Sequence, residues 1–162
     1  MRIFLLRSAE ANQSKKDPRR KLTSNGIESL AVLVDFLKKK ELGDIQEIRH
    51  SPYVRTTQTA KRFKKLTGIK AKTRETPLLE PTADFRILAD FIESSNETLL
   101  LVGHQAQLAH LGSYLLTRES DLAILDLKPG GMACLQANTS EEEHGASGLA
   151  WQLSWQIRPR ML

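Results

Sequence analysis

The chain reads as an α/β protein: a three-layer α/β/α sandwich around a mostly parallel central sheet, with an antiparallel C-terminal strand. Three observations predict it. Short apolar runs alternate with longer stretches of helical period, in the order βαβα, then further βα units, then a terminal hairpin. The run Leu99, Leu100, Leu101 and Val102 is continuous rather than alternating, so both of its faces must be covered, as in a parallel sheet flanked by helices. The segment Trp151 to Ile157 alternates apolar and polar residues, which suits a half-exposed strand pairing antiparallel with Met132 to Ala137. A length of 162 residues fits a single domain over 1–162, large enough to bury one core without metals or disulfides.

Taken in order, Arg2 to Leu6 is a buried strand and Arg7 to Leu22 a polar loop containing Pro18. Thr23 or Asn25 can cap a helix whose apolar positions Ile27, Leu30, Ala31, Val34 and Leu37 recur at helical spacing up to Lys38 to Lys40. Gly43 breaks the chain before a second strand, Ile45 to His50. Ser51-Pro52 makes a turn, and Val54 to Leu66 a second helix ended by Gly68. A weak strand near Ala71 to Thr73 leads to a loop around Pro77 and Pro81 and a helix from Ala83 to Glu93. Thr98 to Val102 is the most apolar strand, and it passes through Gly103-His104 into a helix from Gln107 to Leu116. Pro129-Gly130-Gly131 is a turn before Met132 to Ala137, and Asn138 to Gly148 is a polar loop carrying Glu141 to Glu143 and His144.

Composition narrows the class. With 40% hydrophobic, 27% charged and 6% aromatic residues, the chain is neither disordered nor fibrous. No apolar stretch approaches the roughly 18 residues needed to span a bilayer, and Ile3 to Leu6 is too short for a signal-peptide core. The lone Cys134 cannot form an internal disulfide, so a reducing cytoplasm is the expected setting. The 24 Lys and Arg against 19 Asp and Glu give a net charge of +5, which favours anionic partners. Nucleic acid is disfavoured among these: the cluster Lys15, Lys16, Arg19, Arg20, Lys21 carries no interleaved aromatic, and the cluster Lys61, Arg62, Lys64, Lys65 falls on a helix face. No Cys, His or carboxylate spacing reads as a metal site, and no cofactor is implied.

Ligands of parallel α/β sheets bind at the carboxyl ends of the strands. Arg7 and Ser8 follow the first strand, Ser51 and Arg55 the second, and Gly103-His104 the fourth. Guanidinium forks match phosphate oxygens bidentately, and a helix N-terminus adds amide donors, so a phosphoryl group is the ligand these residues suit.

The same residues carry a resemblance. The strand entering Arg7-Ser8-Ala9-Glu10, the helix opening Leu22-Thr23-Ser24-Asn25-Gly26, the stretch Ser51-Pro52-Tyr53-Val54-Arg55-Thr56-Thr57-Gln58-Thr59-Ala60, and Val102-Gly103-His104 resemble the histidine phosphatase superfamily. Their order and the short length look most like its SixA-type phosphohistidine phosphatases, over nearly the whole chain. That resemblance implies a phosphoglycerate mutase-like fold, phosphoryl oxygens held by Arg7, Arg55, His104 and Ser51, and a phosphohistidine-bearing protein of two-component signalling as partner. It also implies a nucleophilic histidine directly after the first arginine, where this chain has Ser8. A serine hydroxyl is a weak nucleophile unless a base removes its proton.

Three readings stay open at this point: a SixA-like pseudophosphatase that binds phosphohistidine or phosphate but hydrolyses it poorly; a phosphatase using Ser8, His50 or His104 in an altered mechanism; and a basic binding module for nucleic acid or an acidic protein. His50 closes the second strand near the expected pocket, where hydrogen bonding to backbone is its plainer role. Glu80 lies in the loop where larger relatives carry a general acid. Glu10 and Asp17 read as loop surface, His110 as a helix residue and His144 as part of the acidic loop.

Overall fold

The computed structural model describes residues 1–13, 17–37, 42–119, 121–138 and 150–159. Its strands are β1 (Arg2–Arg7), β2 (Glu47–His50), β3 (Lys72–Glu75), β4 (Leu99–Gly103), β5 (Met132–Asn138) and β6 (Ala150–Ile157). The helices among the described residues include α1 (Ser24–Phe36), α2 (Val54–Thr67), α3 (Phe85–Ser95) and α4 (Gln105–Thr117). The strands form one sheet in the order β3-β2-β4-β1-β5-β6. β1, β2, β3 and β4 are parallel, while β5 runs against β1 and pairs antiparallel with β6.

Alternate residues of the central strands feed two cores. Ile3, Leu5, Leu99 and Leu101 pack with Leu88 and Ile92 of α3 and with Leu108 and Leu111 of α4. Phe4, Leu6, Leu100 and Val102 pack with Leu30 and Leu33 of α1 and with Ala60 and Phe63 of α2. All five residues of β4 are buried, as continuous hydrophobicity demands. Full burial of each leucine is worth about 1.5–3 kcal/mol. Register then sets the site: Arg7 lies beside Gly103 and His50 beside Val102, so the carboxyl ends of β1, β4 and β2 are level.

Local signals explain most boundaries. Thr23 caps α1 by accepting from the Gly26 amide at 2.9 Å, and α2 ends at Gly68, whose φ of 70° suits a residue without a Cβ. Elsewhere the structure departs from the pattern. Gly26, Leu30, Leu33 and Leu37 are the buried positions of α1 and its cap, while Ile27 and Val34 are half-buried and pack at the margins of the cores. A Cβ at Gly26 would stand 2.3 Å from the Glu10 carbonyl oxygen, so the helix meets the loop after β1 at this residue. Helix α3 begins later than Ala83 because Asp84 caps it, accepting from the Arg86 amide at 2.9 Å. Helix α4 begins earlier than Gln107, since an extended His104 accepts from the Leu108 amide at 3.0 Å and draws a polar first turn into the helix.

The alternation of the last strand does not survive as one face. Cys134 pairs with Trp155 but Leu135 with Leu153, a β-bulge that exchanges inward and outward positions. Trp151 therefore joins the core beneath α3 and α4, while Trp155 and Ile157 pack on the core beneath α1 and α2. Leu153 is left 37% exposed. Lys15, Lys16, Lys38 to Lys40, Glu141 to Glu143 and His144 lie outside the described residues.

Candidate functional site

At the carboxyl edge of the sheet the backbone itself is tied into a rigid seat. The Ser8 amide donates to the Gly103 carbonyl at 3.0 Å, and the Ser8 carbonyl accepts from the Gly130 amide at 3.1 Å. The Ala9 amide donates to Thr59 Oγ1 at 3.1 Å, and that hydroxyl donates to the Arg55 carbonyl at 2.7 Å. Gln58 Oε1 accepts from the Leu22 amide at 2.9 Å, and Thr56 donates to the Ser51 carbonyl at 2.8 Å. The polar residues of the Ser51 to Ala60 stretch thus lace α2 to the loop after β1 and to its own N-terminus.

This seat encloses a cavity of about 280 Å³ lined by Arg7, Ser8, Glu10, Arg20, Arg55, His104 and Gln105 among others. Arg7 ends β1 and donates to the Leu127 carbonyl at 2.8 Å. Burial lowers its pKa and nearby Arg55 adds to that, while Asp126 opposes it. Arg55, in the first turn of α2, donates to His104 Nδ1 at 3.0 Å and lies over the Tyr53 ring, 4.9 Å from its centroid. Because a guanidinium can only donate, Nδ1 is the acceptor and Nε2 carries the proton. That Nε2–H donates to Ser51 Oγ at 3.0 Å. Burial, with the charges of Arg55 and Arg7, lowers the His104 pKa to about 4 against the opposing pull of Asp17, so the ring is neutral at pH 7.

Of the candidate site residues singled out in the sequence, the structure brings Arg7, Ser8, Arg55 and His104 into the lining of one cavity. Ser51 stands behind His104 rather than on the wall. His50 is turned away, its Nδ1–H donating to the Ser51 carbonyl at 2.8 Å. Glu80 follows the short 3₁₀ turn Pro77–Leu79 and does not line the cavity.

Two residues read as loop surface have other places. Asp17 grips Arg55 through both carboxylate oxygens, at 2.9 and 3.2 Å, and accepts from Arg20 at 3.1 Å. Burial would raise its pKa, but the hydrogen bonds from Arg20 and Arg55 outweigh that and hold it below the usual carboxylate range. Glu10 lines the cavity and accepts from the Thr23 hydroxyl at 2.7 Å and Asn25 at 2.9 Å, fixing the start of α1. Arg20 was read only as one of a basic cluster and Gln105 not at all, yet both line the cavity. The spacing Asp17-x-x-Arg20 was the available signal for the first, as an i, i+3 ion pair. Among the described residues no group of three His, Cys, Asp or Glu side chains could hold a metal ion, and no helix is long and apolar enough to cross a membrane.

A solved structure of the protein histidine phosphatase SixA, complexed with tungstate, superposes with a TM-score of 0.83 over 99% of this chain and 99% of its own, at 19% identity. The fold is the SixA fold. In sequence, phosphohistidine phosphatase SixA of Escherichia coli (strain K12) is 23% identical over 159 residues, covering 95% of this chain and 94% of that protein. No family model matches the chain. A histidine-to-alanine mutant of a phosphoserine phosphatase from Entamoeba histolytica, in complex with phosphoserine, has a TM-score of 0.66 at 15% identity, covering 99% of this chain and 98% of its own. The fold likeness spans nearly every residue of the chain.

Proposed function

We propose that this protein is a SixA-like phosphohistidine-binding domain that recognises a phosphorylated histidine on a phosphotransfer protein of two-component signalling and hydrolyses it poorly or not at all. The observation that carries the reading is the convergence of Arg7, Arg55, His104 and Ser8 on one cavity. Two guanidinium groups and the first turn of α4 supply donors for phosphoryl oxygens. Ser8 occupies the position after the first arginine at which the resemblance expects a nucleophilic imidazole.

His104 is a poor base for Ser8. Its Nδ1 lone pair accepts from Arg55 and its Nε2 proton is directed at Ser51, so neither ring nitrogen is paired with the Ser8 hydroxyl. Loss of the nucleophile in an unrelated hydrolase lowers turnover on the order of 10⁶-fold, while the remaining electrostatic site still binds. A structural neighbour in which a histidine is replaced by alanine holds phosphoserine, which supports ligand binding by this fold without that histidine. The deciding experiment compares wild type and Ser8→His on a phosphohistidine peptide: tight binding with negligible turnover in the first and restored hydrolysis in the second are expected. Wild-type turnover matching that of a histidine-bearing relative would refute the reading.

A further inference from the structure

The two terminal nitrogens of Arg55 carry four hydrogens, and four acceptors already face them. These are the Asp17 carbonyl at 3.1 Å, Asp17 Oδ1 at 2.9 Å, Asp17 Oδ2 at 3.2 Å and His104 Nδ1 at 3.0 Å. A ligand oxygen can reach this fork only by displacing one of them. Arg55 itself is poorly placed to turn away, with its side chain only 11% exposed and set over Tyr53. Asp17 is the mobile partner on physical grounds: its side chain is 48% exposed and it belongs to a single 3₁₀ turn, Asp17–Arg19, with no buried residue.

The surroundings of Asp17 are those a phosphoryl group would choose. Its carboxylate lies between the Arg55 fork and Arg20, which is itself anchored by donating to the carbonyls of Asn12 at 2.7 Å and Ala11 at 3.2 Å. Arg20 lines the cavity, and these two carbonyl bonds do not depend on Asp17. We propose that Asp17 is a tethered stand-in for the ligand, a specificity-determining residue whose carboxylate holds Arg55 until a dianionic phosphoryl group displaces it. A monoanion offers the two guanidinium groups no more charge than Asp17 already does and does not compete with a tethered group. A phosphoryl group near neutral pH carries close to two charges and three strong acceptor oxygens, so it can. The inference rests on the reading of this cavity as a phosphate site and adds to it a threshold of charge.

The test is calorimetric titration of the full chain with inorganic phosphate and, separately, acetate, for wild type, Asp17→Asn and Arg55→Ala. Freeing a fork that is open only a small fraction of the time raises apparent affinity by the inverse of that fraction, here several-fold up to about tenfold. Asp17→Asn is expected to bind phosphate tighter by that factor and to bind acetate measurably, with Arg55→Ala losing both. In wild type, phosphate should also speed hydrogen exchange at the Arg20 amide, which donates to the Asp17 carbonyl at 3.2 Å. A merely structural Asp17 would give the opposite sign, so unchanged or weaker phosphate binding in a folded Asp17→Asn, with Arg55→Ala still losing it, overturns the proposal. Asp17→Ser gives the same comparison should the amide variant melt early. Failure of wild type to bind phosphate at all would instead overturn the phosphate-site reading, and this inference with it.

Discussion

His104 stays neutral at pH 7 because burial and two flanking arginines hold its pKa near 4, and that has a signed consequence for stability. The unfolded chain takes up a proton near the ordinary 6.5, whereas the folded chain resists until about 4. Between those values the unfolded state binds more protons, so stability falls as pH falls through this window and is unaffected by this group above it. Thermal melts of wild type against His104→Gln from pH 7 to pH 4 should show a shallower acid slope in the variant. An equal slope would mean that the ring protonates as freely folded as unfolded. Arg55 is the complementary case. Each hydrogen bond to a charged group contributes about 1.5–3 kcal/mol, so Arg55→Ala should weaken inorganic phosphate binding at least about tenfold, read by calorimetry.

At the scale of elements, the site depends on how α1 and α2 are fastened to the loop after β1. Gly26→Ala should cost about 1–3 kcal/mol in chemical denaturation, because the added Cβ meets backbone oxygen at 2.3 Å and backbone cannot yield as a side-chain tip can. Thr59→Val should cost a similar amount by leaving the buried Ala9 amide without its acceptor. It should also weaken phosphate binding, since Thr59 joins the Ser8-Ala9 seat to the turn carrying Arg55. These fastenings were legible as a motif: Ser51, Arg55, Gln58, Thr59 and Ala60 at short spacings mark a strand-to-helix turn, and Arg7 and His104 mark strand ends. Asp17 was not legible, because what removes it from the bulk surface is an arginine 38 residues away in sequence. The burial of Gly26 escaped for the same reason: hydropathy ranks Ile27 and Val34 above it, and its contact is with the Glu10 backbone, 16 residues earlier. Periodicity also starts helices at their first apolar residue, so the polar first turn of α4, which puts Gln105 on the cavity wall, went unseen.

Across the whole molecule, one sheet carries both cores and the binding edge, so ligand and fold are thermodynamically linked. A ligand that binds only the folded state adds about 2.7 kcal/mol at a hundredfold excess over its dissociation constant. Inorganic phosphate should therefore raise the melting temperature of wild type and leave that of Arg55→Ala unmoved, in a scan at fixed ionic strength. The strand order was predictable in kind, parallel strands with an antiparallel partner, but the bulge in β6 was not, because alternation in a sequence has no mark for an extra residue. That bulge gives the chain two optical reporters. Trp151, which donates to Glu93 on α3 at 3.3 Å, senses one layer of the sandwich, and Trp155, 6.0 Å from Phe4, senses the other. With Trp151→Phe or Trp155→Phe, the remaining indole emits from a single side of the sheet. Coincident fluorescence transitions in the two variants would mean that the layers melt together, and separate ones that the sheet can shed one coat of helices while keeping the other.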